Sequence, residues 1–167
     1  MTATAPLRLV LLGNAGSGKT TLARRLAADT GAAVLSLDAV AFGAEAVRRP
    51  LDESAALLAA FQDEQRAWIV EGCYADLAAL ALERAEALRF LNPGVAACLA
   101  HCRARPFEPD KFESPERQDA RLDDLLAWVA TYEERDDEFG LAAHRRVFEA
   151  FDGAKREDTD PAAYAEG

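Results

Sequence analysis

The segment Gly13-Asn14-Ala15-Gly16-Ser17-Gly18-Lys19-Thr20 constrains this chain more than any other. It carries a glycine, four free positions, then glycine, lysine and threonine, directly after the apolar run Leu7 to Leu12. Such a run closed by glycine reads as a buried parallel strand, and Thr20 to Ala28 has helical composition stopped near Gly31. Glycines at 13, 16 and 18 permit backbone angles that turn successive N–H groups toward one point. A helix beginning near Lys19 adds the partial positive charge of its N-terminus, so the turn is suited to phosphate oxygens. Residues Gly13 to Thr20, with Thr21 behind them, are therefore the expected nucleotide cradle. Lys19 is expected to reach the β and γ phosphates, and the Thr20 hydroxyl to ligate Mg²⁺. The implied donor is ATP or GTP, with ATP and Mg²⁺ taken as the cofactors.

The rest of the first half repeats the strand-then-helix rhythm. Ala33 to Leu37 predicts a second strand ending at Asp38, Trp68 to Val70 a third ending at Glu71-Gly72, and Leu88 to Leu91 a fourth ending at Asn92-Pro93. Alanine- and leucine-rich stretches between them are long enough for right-handed helical crossovers. This alternation predicts an α/β chain with one doubly wound parallel sheet flanked by helices, and 167 residues suit a single domain over 1–167. Ligands of such sheets sit beyond the carboxyl ends of the strands, where Gly13, Asp38 and Glu71 would converge. Beyond residue 103 the texture changes. Arg103 to Lys111 holds two prolines and reads as a mobile loop, Glu116 to Glu138 as one amphipathic helix, and Gly140 as a break before a shorter helix through Phe151. Lys155 to Asp158 reads as an edge strand, with Lys155 to Pro161 a candidate flank for the base.

Asp38, after a strand beside the phosphate turn, is suited to accept a proton from an acceptor hydroxyl or to hold a metal-bound water, with a helix N-cap as the alternative. Glu71 is expected to act on Mg²⁺ through water or to bind the acceptor, with Gly72 keeping the backbone close. Arg48 and Arg49, ahead of Pro50, are candidates to clamp an acceptor phosphate or carboxylate, which makes 39–66 the expected acceptor-binding segment. Arg103 and Arg105 flank the loop and are candidates to close over the transferring phosphoryl group, with 103–117 the expected lid. Lys111, Arg117 and Arg121 read mainly as solvated surface charge. Trp68, Trp128 and Phe90 read as core, and His101 and His144 as helical residues without partners. Cys98, His101 and Cys102 allow a metal site on a helix, but buried structural cysteine is the commoner use.

These residues together resemble the small P-loop kinases related to adenylate kinase and shikimate kinase, most closely the short bacterial proteins labelled DNA topology modulation protein or P-loop kinase-like. The resemblance rests on GNAGSGKTTLARRLA, Leu37-Asp38, IVEGCY at 69–74, FLNPG at 90–94 and HCRARP at 101–106. It implies a nucleoside-monophosphate-kinase-like fold, an acceptor-binding region after the second strand and an arginine-bearing small lid. The expected activity is transfer of the ATP γ-phosphoryl group to a small hydroxyl or phosphate acceptor. A regulatory ATPase acting through a protein partner would use the same phosphate turn. A formal charge of −10 disfavours nonspecific nucleic-acid binding. Three cysteines without paired metal-ligand spacing, no signal-peptide layout and no apolar run near 20 residues predict a cytoplasmic chain without a membrane segment, a monomer or weak homodimer.

Overall fold

Strand β1 (Arg8–Gly13) is buried on both faces because its side chains alternate between two cores. Val10 and Leu12 pack with Leu37, Leu58, Val70 and Leu77, while Leu9 and Leu11 pack with Leu22, Ala23, Ile69 and Tyr164. Each such aliphatic side chain taken from water contributes about 1.5–3 kcal/mol, so the strand, and Gly13 at its end, are fixed from both sides. This is seen in a computed structural model of the chain, which describes residues 5–164.

Around β1 the sheet is entirely parallel, in the order β2-β3-β1-β4-β5. The other strands are β2 (Ala33–Ser36), β3 (Trp68–Gly72), β4 (Ala87–Leu91) and β5 (Ala154–Asp158). Helices connect them: α1 (Lys19–Thr30), α2 (Leu37–Ala41), α3 (Leu51–Glu64), α4 (Ala75–Leu82), α5 (Val95–Arg103), α6 (Pro115–Ala130), α7 (Leu141–Ala150) and α8 (Pro161–Tyr164). The expected doubly wound α/β sheet is thus present. Register pairs Leu11 and Ser36 with Glu71, and Leu12 with Gly72, so the ends of β1, β2 and β3 lie side by side. Edge strand β5 is polar, and ion pairs of Asp158 with Arg89 on β4 and of Glu157 with Arg145 on α7 hold it.

Two local expectations are corrected. The second strand stops at Ser36, and Leu37 already opens α2, so Asp38 lies in the first turn of that helix and Ser36 occupies the N-cap position. The amphipathic helix over 116–138 ends at Ala130. Thr131 Oγ1 donates to the Trp128 carbonyl at 2.7 Å, a local bond that competes with the helical ladder. Tyr132 turns into the core, and Arg135 folds back over the Trp128 ring at 4.8 Å and pairs with Asp137. Among the described residues no helix is long and apolar enough to cross a membrane.

Candidate active site

The turn from Gly13 to Thr20 leaves β1 and enters α1, and its shape depends on missing side chains. At Gly16, φ is +80° and an added Cβ would lie 2.4 Å from the Cys98 carbonyl oxygen and 2.7 Å from Cys102 Sγ. At Gly13 it would meet the Leu91 carbonyl oxygen at 2.5 Å. No side chain caps α1, which leaves the N–H groups of its first turn for an anion. Lys19 is only 7% exposed, and its ammonium donates to the Asn14 carbonyl at 2.8 Å and to Ser17 Oγ at 3.4 Å.

Three elements brace this turn from outside. From α5, His101 Nδ1–H donates to the Gly16 carbonyl at 2.7 Å, so His101, expected to lack a partner, has one. From α8, the buried Tyr164 hydroxyl donates to the Ser17 carbonyl at 2.8 Å. From the turn itself, Asn14 Nδ2 donates to the Val129 carbonyl of α6 at 3.3 Å. Cys98 and Cys102 are buried against Ala15, Val129 and Leu125, and burial pushes the Cys98 thiol up to about 11. Both side chains pack in this small cluster.

Beside the turn, Thr20 Oγ1 donates to Glu71 Oε1 at 3.4 Å across the β1–β3 boundary. Glu71 is 5% exposed. An added Cβ at Gly72 would lie 2.8 Å from Leu37 Cβ, so this glycine lets α2 close down on the end of β3. Asp38 is exposed, and its Oδ1 accepts the Tyr74 hydroxyl at 2.5 Å. Burial first, then the hydrogen bond to Asp38 and its charge, raise the Tyr74 phenol well above its ordinary range, so it remains a donor. Thr20 and Glu71 thus meet at the carboxyl end of β3, and Asp38, two residues beyond the register partner of Glu71, is joined to Tyr74, three residues beyond Glu71. Cys73 is no activated nucleophile, since burial outweighs Lys19 and pushes its thiol up to about 11.

The arginines divide into two groups. Arg49 Nη1 donates to the carbonyls of Ala39, Val40 and Phe42, so it caps the end of α2 and does not stand open as a clamp. Arg48 pairs with Asp76 at 3.3 Å, approaches Glu138 at 4.0 Å and lies 4.8 Å over the Tyr74 ring, so it too is engaged within the fold. Arg103, at the end of α5, and Arg105 just beyond it make no ion pair among the described residues. The segment after them is tied back to α6 by Gln118, which accepts from Glu108 N–H at 2.7 Å and donates to the Pro106 carbonyl at 3.0 Å.

Behind the site, His144 is fully buried, accepting from the Tyr132 hydroxyl at Nδ1 (2.7 Å) and donating from Nε2 to the Cys73 carbonyl (2.8 Å). This supports the backbone one residue before Tyr74. Burial lowers the His144 pKa to about 4, with the hydrogen bond to Cys73 opposing it. The unfolded chain takes up this proton below about 6.5 and the folded chain only near 4, so the neutral imidazole favours folding fully above 6.5 and less as pH falls. We expect stability to drop by roughly 1.4 kcal/mol per pH unit in that window from this group. Denaturant titrations of wild type and His144→Gln at pH 7 and 4.5 measure it. Equal pH slopes in the two proteins would assign the acid sensitivity elsewhere.

Comparison with known proteins bears on the fold. Residues 9–91, from β1 to the end of β4, match the model of an AAA domain family. No protein with a curated description matches the chain by sequence. Among solved structures, shikimate kinase from Acinetobacter baumannii in complex with shikimate superposes with a TM-score of 0.54 at 19% identity, covering 97% of this chain and 89% of that one. A gluconokinase from Sinorhizobium meliloti 1021 gives 0.50 at 19% identity, covering 98% and 89%. TT1252 from Thermus thermophilus gives 0.55 at 16% identity, covering 98% and 94%. At such identities the likeness is one of architecture, and with the parallel sheet and the glycine-rich turn it identifies the chain as a protein of the P-loop NTPase fold.

Proposed function

We propose that the protein is a phosphotransferase that moves the γ-phosphoryl group of ATP to the hydroxyl of a small-molecule acceptor. The observation that carries this reading is the second carboxylate: Asp38, exposed and held by Tyr74, in the first turn of α2 two residues beyond Ser36, whose register partner is Glu71. Nucleotide binding alone needs only the loop and one acid near Thr20. A further carboxylate on the acceptor side, fixed in orientation, is what proton removal from a hydroxyl requires.

In this reading the N–H groups of Gly13 to Thr21 and the Lys19 ammonium bind the phosphates. The Thr20 hydroxyl and the Glu71 carboxylate suit Mg²⁺ by their oxygen chemistry and their 3.4 Å spacing, Glu71 acting directly or through water. Bound there, Mg²⁺ would neutralise charge on the phosphate oxygens. Asp38 orients the acceptor hydroxyl and takes its proton as the new O–P bond forms and the β,γ-bridging bond breaks, which leaves ADP and a phosphate ester. Arg103 or Arg105, free of ion pairs, closes from the 103–117 lid over the transferring group. Most of the rate then comes from positioning and charge stabilisation.

The test is incubation with γ-labelled ATP, Mg²⁺ and a panel of hydroxyl compounds, followed by separation of labelled ester from labelled phosphate. Label in an ester is the expected result. Slow release of inorganic phosphate with no ester from any compound would favour a regulatory ATPase instead.

A further inference from the structure

The cations on the acceptor side are already spoken for. Arg48 is held by Asp76 and the Tyr74 ring, Arg49 by three carbonyls, and Arg135 by Asp137 and the Trp128 and Phe139 rings. Lys19, Arg103 and Arg105 are assigned above to the nucleotide phosphates. The acids are less fully engaged. Among the described residues the Asp38 carboxylate accepts only the Tyr74 hydroxyl, and Glu138 has Arg48 no closer than 4.0 Å. Around them stand aromatic rings: Tyr74 meets Phe139 edge-on at 5.1 Å and Phe42 at 6.4 Å, and Phe139 meets Trp128 at 5.5 Å.

From this arrangement we infer that the acceptor carries its hydroxyl on an uncharged or amine-bearing frame and has neither a carboxylate nor a phosphate. The inference rests on the phosphotransferase reading and names the substrate class of the same site. An anionic acceptor would approach Asp38 and Glu138 with the guanidinium groups of Arg48, Arg49 and Arg135 already engaged, unless it displaced Asp76 from Arg48. A polyol meets hydroxyl-binding carboxylates and ring faces without that conflict. A protonated amine gains both the carboxylate field and the attraction of the rings for a cation. The acceptors named for the two kinases of similar architecture are acids, so this chain would share their frame and differ in the charge it accepts.

Two arms of probes test it. One holds D-glucosamine, kanamycin, erythritol and adenosine, and the other shikimate, D-gluconate and AMP. Each is assayed for labelled ester, and for binding by calorimetry in the presence of a nonhydrolysable ATP analogue. Turnover or binding confined to the first arm is expected. Comparable or better kcat/KM in the anionic arm would overturn the inference while leaving the phosphotransferase standing, and neither ester nor binding in either arm would overturn both. Asp76→Asn adds an independent reading, since it releases Arg48. It should raise kcat/KM for the acids by about tenfold or more relative to the first arm. An unchanged ratio in a folded variant would show that the Arg48–Asp76 pair does not set acceptor charge.

Discussion

Lys19→Ala is expected to leave a folded protein that binds ATP roughly 10- to 100-fold more weakly and transfers phosphate about 10²–10³ times more slowly, if at all. The ammonium makes two hydrogen bonds, both within its own turn, to the Asn14 carbonyl and Ser17 Oγ. Its loss therefore removes no contact between elements. The turn keeps its braces from His101, Tyr164 and Asn14, and the Gly16 packing against α5 is unaffected. What disappears is the one buried cation within the cradle, where a charge-assisted bond to phosphate is worth about 1.5–3 kcal/mol. Calorimetry with an ATP analogue and thermal melts of the two apo proteins check the split. A melt lowered by many degrees would mean that Lys19 holds the fold, and unchanged ATP affinity would remove it from the phosphate site.

Much of this cradle could be read from the chain because it is local. The strand, turn and helix from Leu7 to Thr30 follow one another within 24 residues, and the period of apolar residues with the three glycines encodes them without any distant partner. The same holds for the sheet, whose strands are short apolar runs closed by turn residues, and for β5, whose charges suit an edge. The supporting contacts were not legible in this way. Tyr164 reaches Ser17 across 147 positions and Tyr74 reaches Asp38 across 36, and side-chain meetings at such separations leave no periodic trace. His144 appeared partnerless for that reason, although it links Tyr132 to Cys73. Arg48 and Arg49 looked like an anion clamp because sequence shows a guanidinium's charge and hides what already holds it. The end of α6 was misplaced because Tyr132 keeps the helical apolar pattern going after Thr131 has left the helix. Its burial comes from a turn of the chain over α7, toward His144, and periodicity alone cannot tell the two apart.

Asp38→Asn is expected to lower kcat by about 10²–10⁴ while the KM for ATP stays within a few-fold. The exchange is nearly isosteric, and an amide oxygen can still accept the Tyr74 hydroxyl, so α2 should remain seated on β3. The residue is exposed, which removes any burial cost of the change. What is lost is the negative charge and the site that receives the acceptor proton. Tyr74→Phe makes the complementary cut: the carboxylate stays but is no longer held, and a smaller fall in kcat, several-fold, is expected with ATP affinity intact. Steady-state kinetics for both substrates separate the possibilities. Equal loss of ATP affinity in Asp38→Asn would turn Asp38 into a metal or structural residue. An unchanged kcat would remove the proton acceptor from the site and with it the strongest reason to read the fold as a phosphotransferase. If Tyr74→Phe proved as damaging as Asp38→Asn, orientation of the carboxylate would matter as much as its charge, and the His144 bond to the Cys73 carbonyl would belong to the same catalytic support.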